Sequence, residues 1–216
     1  MKFLDKIFNN KEEAKYKAVL RQVSMPLMGK ISLIKEKNIR MFFEKIVDVS
    51  EKVLRSLLFE TEIIDYKKEL TKEEFDYWIK KVSLAMIACS YYCVVLVKNW
   101  YGLDNIYFKR VSYVEWFNKV FNYYNQIFNK NITKKDMDYY ASGYKEDAER
   151  GYSKTEDQAK VLESCKRDYE TIGSELLKEI WCEDIKKENY NKRIIIGTRI
   201  WEAHRQLIRP YLEKLA

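Results

Sequence analysis

Leu70-Thr71-Lys72-Glu73-Glu74-Phe75 opens the stretch whose reading decides the fold. Thr71 and Glu74 stand at the spacing of a capping box, in which hydroxyl and carboxylate satisfy amide groups that the first helical turn leaves free. Leu70 and Phe75 flank the box where a hydrophobic staple would close it. The pattern is amphipathic from Phe75 to Lys81, and the residues from Val82 to Val97 then carry no charge. At about 1.5 Å per residue that uncharged run reaches roughly 24 Å, short of the ~30 Å hydrocarbon layer of a bilayer. Ser83, Ser90, Tyr91 and Tyr92 dilute it further. A helix apolar on every side but too short to span predicts the centre of a soluble bundle.

The same helix-start device recurs along the chain. Ser112 with Glu115 repeats it, with Val111 and Trp116 as the staple pair. Thr133 with Asp136 is a third copy, flanked by Ile132 and Met137, and Thr155 with Gln158 a fourth. Apolar stripes agree with these starts, stepping by three and four residues as a buried helical face does. They run through Ile39, Phe42, Ile46, Val49, Val53 and Leu57, and through Val114, Phe117, Phe121, Tyr124 and Phe128. A third takes Leu162, Cys165, Tyr169, Ile172, Leu176 and Ile180, and the last Ile200, His204, Leu207, Tyr211 and Leu215. No sustained two-residue alternation marks a strand. Gly (6) and Pro (2) are too scarce for the tight turns of an all-β fold or the glycine-bearing turns of a doubly wound one.

These signals predict an all-α fold, an irregular bundle of about seven helices in a single domain over residues 1–216. The expected map begins with a short N-terminal helix and a second one broken near Pro26. Helices then follow over about 30–59, 72–100, 113–129, 134–150, 156–187 and 192–215, the third ending near Gly102. Pro210 is expected to kink or end the last of them.

The N-terminus breaks its apolar character with charges every few residues, so no secretory signal is read there. The four cysteines, Cys89, Cys93, Cys165 and Cys182, are then expected as reduced thiols and the location as the cytoplasm. The net charge of +7 is uneven: residues 136–190 sum to −6 while the rest sums to +13. Such asymmetry steers acidic partners toward the basic parts, or lets the acidic helix dock beside basic ones.

His204 is the only histidine. That excludes di-iron carboxylate bundles built on paired Glu-x-x-His motifs and metalloprotease helices with two histidines one turn apart. Neither a Gly-x-x-x-x-Gly-Lys phosphate loop nor a Gly-x-Gly-x-x-Gly turn occurs. Cys89 and Cys93 share a face of the uncharged helix. Thiols inside an apolar run behave as small buried residues rather than zinc ligands. No metal and no cofactor are expected.

Arg199-Ile200-Trp201-Glu202-Ala203-His204 resembles the Arg-x4-His motif of HEPN-type helical ribonucleases. The resemblance implies a metal-independent endoribonuclease in which two protomers bring Arg199 and His204 to a dimer cleft. Guanidinium would stabilise phosphoryl charge there and imidazole would transfer a proton. Set against it, His204 falls on the apolar stripe of the last helix, which predicts a packed residue.

Aromatic residues make up 15% of the chain, and Tyr139, Tyr140, Tyr144 and Tyr152 cluster in the acidic segment. Rings of this kind favour a protein interface or core over base stacking when the surrounding charge is negative. The function expected from the sequence is a non-catalytic helical protein that binds another macromolecule, with self-association through an aromatic-rich face. The HEPN-like nuclease is the alternative. A basic nucleic-acid-binding protein using Lys192, Arg193, Arg205 and Arg209 is a third reading.

Overall fold

The capping box at Thr71 forms. Its backbone N–H donates to Glu74 Oε2 at 2.8 Å, and the Glu74 N–H donates to Thr71 Oγ1 at 3.2 Å. Leu70 and Phe75 are both buried beside it, as the staple requires. Thr71→Ala should therefore cost about 1 kcal/mol, the usual worth of a helix N-cap. A fall in melting temperature of roughly 2–4 °C checks it, and an unchanged melt would mean that the box is idle.

A computed structural model describes residues 2–59, 70–101, 112–143, 145–146, 167–168, 170–178 and 190–214. The first helices are α1 (Lys2–Ser32), α2 (Lys37–Phe59) and α3 (Lys72–Tyr101). They are followed by α4 (Tyr113–Phe128), α5 (Lys134–Tyr140) and α6 (residues 170–178). The last is α7 (Tyr190–Ala203), which runs through a π turn (His204–Ile208) into α8 (Arg209–Lys214). With that C-terminal run taken as one helix, the described residues form seven helices and no strand.

The central position of α3 follows from its composition. Every residue from Val82 to Ser90 is buried, and α3 packs against α1, α2, α4, α5 and the C-terminal helix. Among the described residues no helix is long and apolar enough to cross a membrane. The α2 stripe is buried at all six expected positions, Ile39 through Leu57. Buried polar groups tie these helices together: the Trp78 indole donates to the Ser50 carbonyl at 3.0 Å, and the Tyr124 hydroxyl to the Lys80 carbonyl at 2.9 Å.

Several boundaries differ from expectation, each for a physical reason. The chain does not break at Pro26; α1 is continuous through it. Proline removes the amide that would bond the Gln22 carbonyl. The cost is offset where Val23, Leu27 and Ile31 bury along one line on the neighbouring helices. The reversal comes instead at residues 33–36, so α2 starts at Lys37 rather than near 30.

Ser112 begins α4 without a side-chain cap bond, and Val114 lies outside the core, which takes Trp116 and Val120 instead. The α5 start matches expectation, since the Asp136 carboxylate accepts both the Thr133 N–H and its hydroxyl at 2.7 Å. That helix is shorter than expected. It stops at Ala141, and the Gly143 N–H goes to the buried Asp168 carboxylate at 2.9 Å. Of the helix expected over 156–187 the described part is helical, with Ile172 and Leu176 buried. Gly102, the Thr155–Gln158 pair, Cys165, Cys182, Tyr144 and Tyr152 lie outside the described residues.

Pro210 neither ends nor breaks the last helix. The wide π turn precedes it, closed where the Arg209 N–H bonds the His204 carbonyl, and the helix resumes beyond. The turn also shifts the buried line. Ile208 and Leu212 are fully buried, while Leu207 is 38% exposed.

Candidate functional site

The sole histidine is set in the core by two neighbouring residues of α3. His204 is 3% exposed, with Ser90 Oγ at 2.9 Å from Nε2 and Cys89 Sγ at 3.5 Å from Nδ1. The proton positions follow from the acceptors. Ser90 donates its hydroxyl hydrogen to the Met86 carbonyl at 2.7 Å, so it can only accept from His204. Nε2 therefore carries the hydrogen, and bare Nδ1 accepts from the Cys89 thiol. The chain of donors runs Cys89 to His204 to Ser90 to the Met86 carbonyl, with every group neutral.

Burial, and secondarily the Arg209 charge, push the His204 pKa down to about 3. An imidazole that stays neutral throughout the physiological range and is closed to solvent packs rather than shuttling protons. Arg199 lies on a different face. Its side chain is 49% exposed and sits 3.7 Å from Glu202. Within one copy the two members of the Arg-x4-His pattern are not brought together, as the angle between helical positions five apart implies.

The four basic candidates of the C-terminal helix do not form one patch. Arg205 is exposed, while Lys192 and Arg209 are half-buried. Arg193 turns inward, where its backbone carbonyl packs against Gly173 of α6 and its side chain lines a cleft of about 710 Å³.

That cleft lies between α3, the end of α5, α6 and α7. Its α6 wall is one polar face, from Arg167 through Glu170, Thr171 and Ser174 to Lys178. Its charges largely satisfy one another. Lys81 meets Glu175 at 3.3 Å and donates to the Tyr140 hydroxyl at 2.7 Å, while Arg167 forks onto Glu146 at 3.0 and 2.8 Å. Sequence reading missed this cleft because it is assembled from helices far apart in the chain. The available signal was the polar stripe at three- and four-residue spacing from Arg167 to Lys178.

Among the described residues no group of histidine, cysteine and carboxylate side chains is placed to hold a metal ion. Cys89 is buried and Cys93 half-buried, both as free thiols.

The described aromatics lie mostly inside. Tyr91, Trp116, Phe117 and Phe42 belong to edge-on ring clusters, and Tyr139, at 53%, is the exposed exception. The apolar groups left outside are aliphatic and thioether side chains, above all Met25 (70%) and Leu33 (79%) at the end of α1.

No protein-family model, curated protein or solved structure matches the chain.

Proposed function

We propose that the chain is a non-catalytic helical protein that binds another macromolecule, with a protein partner favoured over a nucleic acid. The exposed end of α1 carries this reading. From Gln22 to Gly29 the chain has no charge, and Met25 stands open to solvent there while Val23 and Leu27 on the other face are buried. Exposed apolar groups gathered on one face mark interaction surfaces, and methionine adapts its shape to a partner.

The HEPN-like alternative needs an accessible imidazole, and His204 is closed off and neutral. The nucleic-acid-binding alternative needs one basic surface, and Arg193 and Arg205 take different environments.

One experiment addresses all three readings: single-stranded RNA incubated with the full chain in chelator, with binding measured as salt is raised. The expected result is no cleavage and weak binding at 150 mM salt. A nucleic-acid protein making six phosphate contacts would instead lose roughly a thousandfold in affinity between 50 and 200 mM. Metal-independent cleavage abolished by Arg199→Ala, and by His204→Ala in a folded variant, would overturn the proposal in favour of the nuclease.

A further inference from the structure

The open face of α1 has an internal pattern that specifies what covers it. At 100° per residue, Met25, Gly29 and Ser32 fall within about 60° of one another, opposite Val23, Leu27 and Ile31. Met25 is 70% exposed, and a Cβ built on Gly29 would meet nothing within 4 Å. A projecting side chain and a notch therefore stand one helical turn, about 6 Å, apart on one solvent-facing line.

Charge is absent from the same surface. No ionisable residue lies between Arg21 and Lys30, and Lys30 folds back to donate its ammonium to the Ile127 carbonyl at 2.9 Å. Leu33 (79%) and Met28 (37%) border the line with further apolar surface.

We propose that this face binds a second copy of the chain, α1 crossing α1 antiparallel about a two-fold axis between Met25 and Gly29. Under that symmetry residue i meets j while j meets i. Met25 of each copy then fills the notch over Gly29 of the other, and no like charges oppose each other in the Gln22–Gly29 stretch. A single large–small pair one turn apart is self-complementary only in this antiparallel arrangement. The inference rests on reading the chain as a binding protein and names the partner.

The contact is small beside a standard protein interface, so the dimer is expected to dissociate in the micromolar range.

Sedimentation velocity of the full chain, from about 5 to 200 μM, tests the proposal. The wild type should pass from monomer to dimer. Gly29→Leu fills the notch, and Met25→Ala removes the projection. Each should weaken association by about tenfold or more, as central interface residues do. The swapped variant, Met25→Gly with Gly29→Met, keeps one large and one small group facing across the axis and should restore the dimer. Thermal melts of each variant confirm that the monomer is folded.

A wild type that stays monomeric at the highest concentration overturns the proposal. So does a dimer that Gly29→Leu strengthens, since a merely sticky surface would gain from added apolar area. Neither outcome is the RNA cleavage that would overturn the binding reading itself, so the two failures are distinguishable.

Discussion

Gly173→Ala is expected to lower the melting temperature by about 10 °C or to prevent folding. The new Cβ would lie 1.8 Å from the Arg193 carbonyl oxygen and 2.7 Å from its carbon, where α6 meets α7. Both atoms belong to backbone, so no rotamer change relieves the overlap and the two helices must separate. Separation draws the buried Ile172, Leu176 and Leu177 away from their neighbours. Overpacking of this kind costs about 3 kcal/mol or more, well above the ~1 kcal/mol that alanine gains in helix propensity. The same substitution at Gly29 should act in the opposite direction, because open space leaves only the propensity gain of about 0.5–1 kcal/mol. Paired melts of the two variants are the measurement. A tolerated Gly173→Ala would show that α6 and α7 are not packed as described.

His204→Asp should be almost as damaging. It places a carboxylate beside the Cys89 thiol and the Ser90 hydroxyl, with the latter's hydrogen already committed to Met86. A buried charge without a partner costs about 3–5 kcal/mol, or roughly 10 °C in a chain of this size. His204→Leu should lie much closer to wild type, since Ser90 keeps its bond to Met86.

The same pair predicts an acid response. The folded pKa of His204 is lowered to about 3 from an unfolded value near 6.5, so the unfolded state binds the extra proton between those limits. The stabilisation is present in full above about pH 6.5. Below that it is lost at up to 1.4 kcal/mol per pH unit as pH falls toward 3. In His204→Leu this contribution vanishes, and melting temperature should fall less steeply from pH 6.5 to 4. Parallel slopes for wild type and variant would place the imidazole in water.

The local code was legible where neighbours in sequence suffice to read it. Thr71 with Glu74 and Thr133 with Asp136 form the expected starts, and the six-residue stripe of α2 is buried throughout. The uncharged run from Val82 foretold a central helix. Errors arose where a distant contact overrides local preference. Pro26 sits within α1 because tertiary packing holds the helix on either side of it. Residues 134–150 read as one helix, yet the Gly143 amide is claimed by Asp168, 25 positions along the chain. Placing His204 on a stripe was enough to foresee its packing, but Cys89 and Ser90 as its partners required the crossing of two helices more than a hundred residues apart in sequence. The exposed face of α1 went unread for a different reason. Met25 and Leu33 are ordinary apolar letters, and only the burial of Val23 and Leu27 shows that they lie on the side left over.

The π turn at His204–Ile208 has a bearing on how this chain tolerates change in length. A four-residue step along an ordinary α-helix drifts by 40°, so Ile196, Ile200, His204, Ile208 and Leu212 would spiral out of the core if every turn were alike. The wider turn takes up that drift in one place, in effect hosting one residue more than regular winding would. Losing a single codon there would let regular winding return, but would rotate everything downstream by about 100°. Leu212 would be carried toward solvent and the Phe42–Tyr211 ring stacking undone. The surplus residue is thus a register pin, and this stretch should be far less forgiving of deletion than of substitution at its exposed positions Arg205 and Gln206.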